Sequence, residues 1–332
     1  MKLREIGEFG LIGRISSRVA DGAGVRIGIG DDAAAAEPTP GRWLLVTADM
    51  LLEGIHFDLS YTDPYRLGRK SLAVNLSDVA AMGGEPRHFL LSLAVPAGIS
   101  LEFLDRFTEG MLDLAREHGV TLMGGDTCRS SSGLVISVTL HGEQIPELVV
   151  RRGGARPGDH VFVTGTVGDS ALGLELLRRG ERRGWAVERH LDPTPRVAAG
   201  LALARAGLPS AMIDVSDGIA ADLGHILELS GVGARLVLDR LPLSPAFRQL
   251  APAVTPDPPL LALTGGEDYE LLFTVPAGRS GEVAPLLAES GLTATPIGEI
   301  TAGCGLVVTG ADGREVPLAG GGYNHFAAIS DC

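Results

Sequence analysis

The sequence predicts an α+β protein built from two α/β domains, and three observations carry that expectation. Strand-like and helix-like segments alternate through both halves. Runs such as 120–141 set two strand-like segments in succession, as a hairpin would, so a doubly wound parallel sheet fits less well. Between the halves, "PELVVRRGGARPGDH" is rich in Gly, Pro and Arg, the texture of an interdomain connection. The predicted domains are therefore 1–146 and 147–332, each long enough to bury its own core.

The elements follow from residue pattern. "RWLLVTAD" reads as a strand, and "PYRLGRKSLAVNLSDVAAMGG" as a helix with Leu72, Leu76 and Val79 on one face and glycines at its end. "RHFLLSLAVP" reads as a buried strand. "SLEFLDRFTEGMLDLAREHG" is a helix capped by Ser100 and stopped by Gly119. "VTLMGGDT" and "GLVISVTLHGEQ" are further strands. The second half opens with the strand "HVFVTGTVG" and a helix from Ser170 to about Arg179. "AMIDVSDG" is a strand that runs into "IAADLGHILELS", where Ile219, Leu223, Ile226 and Leu227 form an apolar stripe. "LALTGGEDYELLFTVP" closes on another strand.

Composition excludes several function classes. At 45% hydrophobic and 21% charged residues the chain is globular rather than disordered. A net charge of −13 argues against a nucleic-acid groove or an anionic membrane surface as partner. Lys2 and Lys70 are the two lysines, so an anionic substrate has to be held by arginine, backbone N–H groups or metal ions. Cys128, Cys304 and Cys332 form no CxxC pair, which indicates neither a zinc site nor a disulfide framework. "MKLREIGEFGLIGRI" lacks the apolar core of a signal peptide, and no run has the length of a membrane span. The expectation is a soluble, cytoplasmic protein.

Aspartates recur where an apolar segment meets a glycine or a turn: "GIGDDA", "VTADM", "NLSDVAAMGG", "MGGDT" and "IDVSDG". They supply Asp31, Asp32, Asp49, Asp78, Asp126, Asp214 and Asp217. Any one of them is ordinary, because Asp favours turns and caps. As a set, in a chain with almost no lysine, they point to hard divalent cations that neutralise the carboxylates and bridge to phosphates. The phosphate-loop, dinucleotide and nucleophile-elbow motifs are absent. "SDGIAADLG" still offers helix N-terminal N–H groups and the Ser216 hydroxyl to a phosphate, although an ordinary cap explains Ser216 equally well.

Nine segments carry a resemblance: "GEFGLIGRI", "GIGDDAA", "TADMLLEGIHF", "AVNLSDVAAMGG", "MGGDT", "TGTVGDSALGL", "IDVSDGIAADLGHI", "GGEDYELLFTVP" and "GYNHF". Together they resemble the thiamine-monophosphate kinase family, of the ATP-using superfamily that includes aminoimidazole ribotide synthetase. The resemblance runs from about Glu8 to Phe326. It implies two domains of that superfamily's type with the ATP site between them, several Mg2+, ATP as co-substrate, thiamine monophosphate as acceptor and a homodimer formed through the N-terminal half. The metal ligands it implies are Asp32, Thr47, Asp49, Asp78, Asp126, Asp214 and Asp217, with the Ala48 carbonyl beside them and Asp31 supporting Asp32. Gly125, Asp126, Arg152 and Ser216 would contact ATP, and His56, Glu267 and Tyr323 the thiamine phosphate. A tyrosine among glycines also suits stacking on a heterocycle.

The resemblance departs at "REHGV", where members often set an aromatic residue beside adenine and this chain has Glu117 and His118. The activity it implies is direct in-line transfer from ATP to a phosphate acceptor, needing positioning and charge neutralisation rather than a strong base. Two rivals stand beside it. One is a hydrogenase-maturation type of dehydratase using the terminal Cys332, and the other a non-catalytic sensor of Mg-ATP or thiamine phosphates.

Overall fold

The computed structural model describes residues 3–20, 22–30, 33–310 and 312–317. The chain divides into two compact units, Met1–Val149 with Leu191–Leu201, and Val150–His190 with Ala202–Cys332.

The first unit begins with α1 (Leu3–Ser16), β1 (Val25–Ile27) and β2 (Ala35–Ala36). Its main elements are β3 (Trp43–Leu52), α2 (Pro64–Ala81), β4 (Glu85–Pro96), α3 (Leu101–His118), β5 (Thr121–Ser130) and β6 (Val135–Gln144). Asp63 caps α2 by accepting the Arg66 N–H at 3.1 Å, with Pro64 in the first turn. Ser100 caps α3 in the same way through Phe103 N, and Gly119 ends it, as the sequence predicts. Leu72, Leu76 and Val79 of α2 and Leu104, Phe107 and Met111 of α3 are all buried. Each such side chain contributes roughly 1.5–3 kcal/mol relative to exposure.

The four strands are ordered β3-β6-β4-β5. The hairpin expected over 120–141 does not form. β5 and β6 are consecutive, but β4 lies between them, antiparallel to β6 and parallel to β5. The α3 crossover from β4 to β5 makes that parallel pair, and a crossover of this kind leaves no signature in strand periodicity. Thr47 and Asp49 lie on the α2 face of the sheet. Leu44, Val46 and Met50 alternate onto the other face and are 55–58% exposed.

The second unit contains β7 (Asp159–Thr164), α4 (Asp169–Arg178), α5 (Trp185–Leu191), α6 (Val197–Ala206), β8 (Ala211–Asp214), α7 (Ile219–Ser230) and β9 (Gly233–Val237). There follow α8 (Pro245–Leu250), α9 (Pro258–Thr264), β10 (Leu271–Pro276), α10 (Val283–Ala288), β11 (Ala294–Thr301) and β12 (Gly305–Thr309). The last residue of α5 and the first five residues of α6 are grouped with the first unit. The sheet order is β12-β9-β11-β7-β10-β8, antiparallel except for β12 with β9. The stripe Ile219, Leu223, Ile226 and Leu227 of α7 is buried in this unit's core with Val161, Val163 and Leu272. Phe162 and Phe273 stack with centroids 5.6 Å apart.

Candidate functional site

In the first unit the sequence-predicted residues gather at β3 and its return. The Thr47 hydroxyl donates to Asp78 Oδ2, joining β3 to α2. Asp49 shares the strand face with Thr47, and its backbone N–H donates to Asn75 Oδ1 at 3.2 Å. Asp49 and Asp78 are half-buried. His56 follows the strand, and its Nδ1 accepts the Leu52 N–H at 3.1 Å. Because Nδ1 is an acceptor there, Nε2 carries the ring proton and is the donor end.

Gly125 and Asp126 lie elsewhere in the sheet. The register Met50–Ser137–Ser92–Asp126 sets Asp126 in the row of Met50, on the face away from Thr47. β5 is three strands from β3, roughly 14 Å at ordinary strand spacing. Asp126 is therefore not brought to Thr47, Asp49 and Asp78 within one chain. A Cβ on Gly125 would stand 1.8 Å from the Leu91 carbonyl oxygen, so glycine is obligatory there. Glu117 accepts two hydrogen bonds from Arg69, which also binds Asp192. The pKa of the neighbouring His118 is lowered, chiefly by burial, which favours a neutral imidazole.

Asp31, Asp32, Tyr323 and Cys332 lie outside the described residues. Among the described residues no three His, Cys, Asp or Glu side chains converge as a metal site. The donors at β3 and α2 are two carboxylates and a hydroxyl. An all-oxygen set of this size fits Mg2+, which keeps several waters and completes its shell with phosphate oxygens.

In the second unit the end of β8 carries Asp214, 2% exposed, and the half-buried Ser216 and Asp217. The segment 265–270 packs directly on this turn. Glu267 N donates to Ser216 O at 2.7 Å, and Tyr269 N to Val215 O at 2.9 Å. A Cβ on Gly266 would stand 2.3 Å from the Ser216 oxygen, so only glycine permits the approach. Ser216, Asp217 and Glu267 are thus neighbours. Arg152 is exposed in the linker, where the carbonyl of Arg151 accepts the Met212 N–H at 3.0 Å.

Sequence reasoning missed Asp222. Its Oδ2 accepts the N–H groups of Asp217 and Gly218 at 3.1 and 3.0 Å. Those two donors are the start of the N–H set expected to face a phosphate, and the protein's own carboxylate occupies them. The Asp222 side chain is 1% exposed, and burial first, then the charges of Asp214 and Asp217, push its pKa up to about 8. An acid one turn inside a helix, reaching back to the N–H groups of its start, was the available signal. Asp268 was missed as well. It is buried, and desolvation raises its pKa to about 7 against the bonds it accepts from Gly168 N and Ser170 N.

The model of the AIR synthase related protein family matches in two parts, its N-terminal domain over residues 30–144 and its C-terminal domain over residues 156–311. The thiamine-monophosphate kinase of Escherichia coli (strain K12) is 40% identical over 329 residues, covering 97% of this chain and 98% of that protein. The crystal structure of thiamine-monophosphate kinase from Stenotrophomonas maltophilia K279a is similar with a TM-score of 0.83 at 40% identity, covering 94% of this chain and 98% of that one. AaThiL complexed with AMPPCP and TMP is similar with a TM-score of 0.77 at 36% identity, covering 98% and 99%.

Proposed function

The chain belongs to the AIR synthase related family and, within it, to the thiamine-monophosphate kinases, and on that premise we propose that it moves the γ-phosphoryl group of ATP directly onto the phosphate of thiamine monophosphate, giving thiamine diphosphate and ADP. The observation that supports this most is likeness over nearly the full length of both chains. The oxygen-rich cluster of Thr47, Asp49 and Asp78 suits it chemically.

The acceptor is a phosphate that is already an anion at neutral pH, so the residues have to position and neutralise rather than abstract a proton. In the first unit Thr47, Asp49 and Asp78, with Asp32, are the proposed Mg2+ ligands. Mg2+ held there supplies charge neutralisation to the transferring group. Asp126, Asp214 and Asp217 are proposed as further ligands, while Gly125, Arg152 and Ser216 serve ATP. His56 presents its Nε2–H as a donor suited to the acceptor phosphate, its tautomer set by the Leu52 bond. Glu267 and Tyr323 complete the acceptor side.

The reading includes a homodimer. Leu44, Val46 and Met50 form an exposed apolar row on the sheet face away from α2, and a second copy of the same face is its natural cover. Val46→Asp should yield monomers by sedimentation, whereas a wild-type monomer would remove this part. The cytoplasm, where ATP is available, is the proposed location; among the described residues no helix is long and apolar enough to cross a membrane.

Product analysis tests the main claim. Mg-ATP with thiamine monophosphate should give thiamine diphosphate and ADP in equal amounts, and unphosphorylated thiamine should be a poor acceptor. Equal turnover of thiamine would overturn the acceptor assignment. ATP binding with no ADP formed would favour the sensor.

A further inference from the structure

Backbone strain singles out one segment of the second unit. Among the described residues, Glu267 and Tyr269 are the non-glycine residues at positive φ, 64° and 51°. Side chains rarely adopt that backbone, and it persists only where the surroundings over-determine it. Here they do. The residues that follow these two, Asp268 and Glu270, point inward and are buried. Asp268 accepts Gly168 N at 2.6 Å and Ser170 N at 3.1 Å. Glu270 accepts Arg189 Nη2 at 2.9 Å and Thr164 Oγ1 at 2.7 Å, and Arg189 also donates to the Asp268 carbonyl at 3.0 Å.

The strained Glu267 is turned the other way, with its side chain 27% exposed. Its Oε2 lies 3.3 Å from Nδ1 of His190, the buried residue next to Arg189. Ser170 Oγ is 3.1 Å from the same nitrogen. A carboxylate needs a donor, so Nδ1 carries the proton and Ser170 Oγ accepts a share of it. Two consecutive residues of α5 thus hold the segment from both sides. Arg189 pins the inward acids and His190 the outward one.

We infer that His190 is a positioning residue that, with the Arg189 anchors behind it, presets the strained Glu267 carboxylate for the acceptor. This rests on the reading above, in which Glu267 lines the thiamine monophosphate site. That acceptor carries a thiazolium cation and an aromatic amine, both suited to a carboxylate fixed in advance. A conformation this costly to a side chain is retained for what the side chain does.

The test is a double-mutant cycle read in KM for each substrate. His190→Leu and Glu267→Gln should each raise KM for thiamine monophosphate about tenfold and leave KM for ATP within twofold. The double variant should be no worse than the worse single. His190→Asn, which can offer an amide N–H where Nδ1–H was, should recover most of the loss. Glu267→Gly should melt higher than Glu267→Gln, because glycine adopts φ 64° without strain, while losing acceptor affinity equally. If His190→Leu fails to fold, His190→Gln, whose amide does not reach the Nδ1 position, takes its place in the cycle with the same expected coupling. Multiplicative effects in the cycle, equal KM changes for both substrates, or a Glu267→Gly protein that melts no higher would overturn the inference alone. A wild-type protein that forms no thiamine diphosphate would overturn it together with the proposed function.

Discussion

In the first unit the proposed metal ligands Asp49 and Asp78 are half-buried on β3 and α2, beside a hydroxyl. In the second unit Asp222 and Asp268 are almost wholly buried, and both accept backbone N–H groups. The same residue type therefore does two jobs. A half-buried carboxylate can offer its oxygens to a hard cation. A buried one is pushed toward its neutral form and earns its place by holding loops, as Asp222 holds the "SDG" turn and Asp268 the start of α4. The position of an acid along a motif says little about which job it has, whereas the backbone donors it accepts say much.

That contrast can be broken or sharpened by substitution, starting where the effect should be greatest. Asp49→Asn should lower turnover about a thousandfold, comparable to losing a strong electrostatic contact in a phosphoryl-transfer site. Its melting temperature without Mg2+ should stay level or rise, since like-charge repulsion is relieved. Kinetics and a thermal melt on the same preparation check both halves.

The scaffold acids should show the opposite pattern. Asp222→Ala leaves the Asp217 and Gly218 N–H groups without their acceptor and should cost about 1–3 kcal/mol in urea unfolding. Asp222→Asn keeps an acceptor oxygen and should recover most of that.

A smaller effect concerns pH. The carboxyl of Asp268 has its pKa raised from 3.8 to about 7 in the folded protein. The stability it contributes is then full below about pH 4 and lost as pH rises through 7. Melting temperature without metal should therefore fall between about pH 5 and 8, and Asp268→Asn should fall less steeply. A profile unchanged by the substitution would count against a buried, protonated role.

The smallest expected effect is none. Cys332→Ser should leave turnover as it is, because the kinase reading uses no thiol, and a large loss would restore the dehydratase alternative.

Much of the fold was legible because α2, α3 and α7 carry helical periodicity and α3 carries its caps as well. Ser100 and Gly119 bound α3, and the α7 stripe is buried where it was expected. The separation of β5 from β6 was not legible, since strand order depends on a crossover helix and not on the strands themselves. The same limit applies to the site. Thr47 and Asp78, both named by the resemblance, are hydrogen-bonded to each other, but the remoteness of Asp126 from them follows from register across four strands. Asp222 and Asp268 were missed because their importance lies in the backbone donors they satisfy, and no spacing rule announces those. The strain at Glu267 was invisible for a related reason, because φ is set by the buried anchors behind it.

The central claim is that Asp49 of the first unit serves metal, while Asp222 of the second unit serves structure. Activity against Mg2+ concentration, measured side by side for Asp49→Asn and Asp222→Asn, tests it most directly. The account predicts that Asp49→Asn needs at least tenfold more Mg2+ for half-maximal activity, while Asp222→Asn keeps the wild-type midpoint. A wild-type midpoint in Asp49→Asn, or a shifted one in Asp222→Asn, would contradict it.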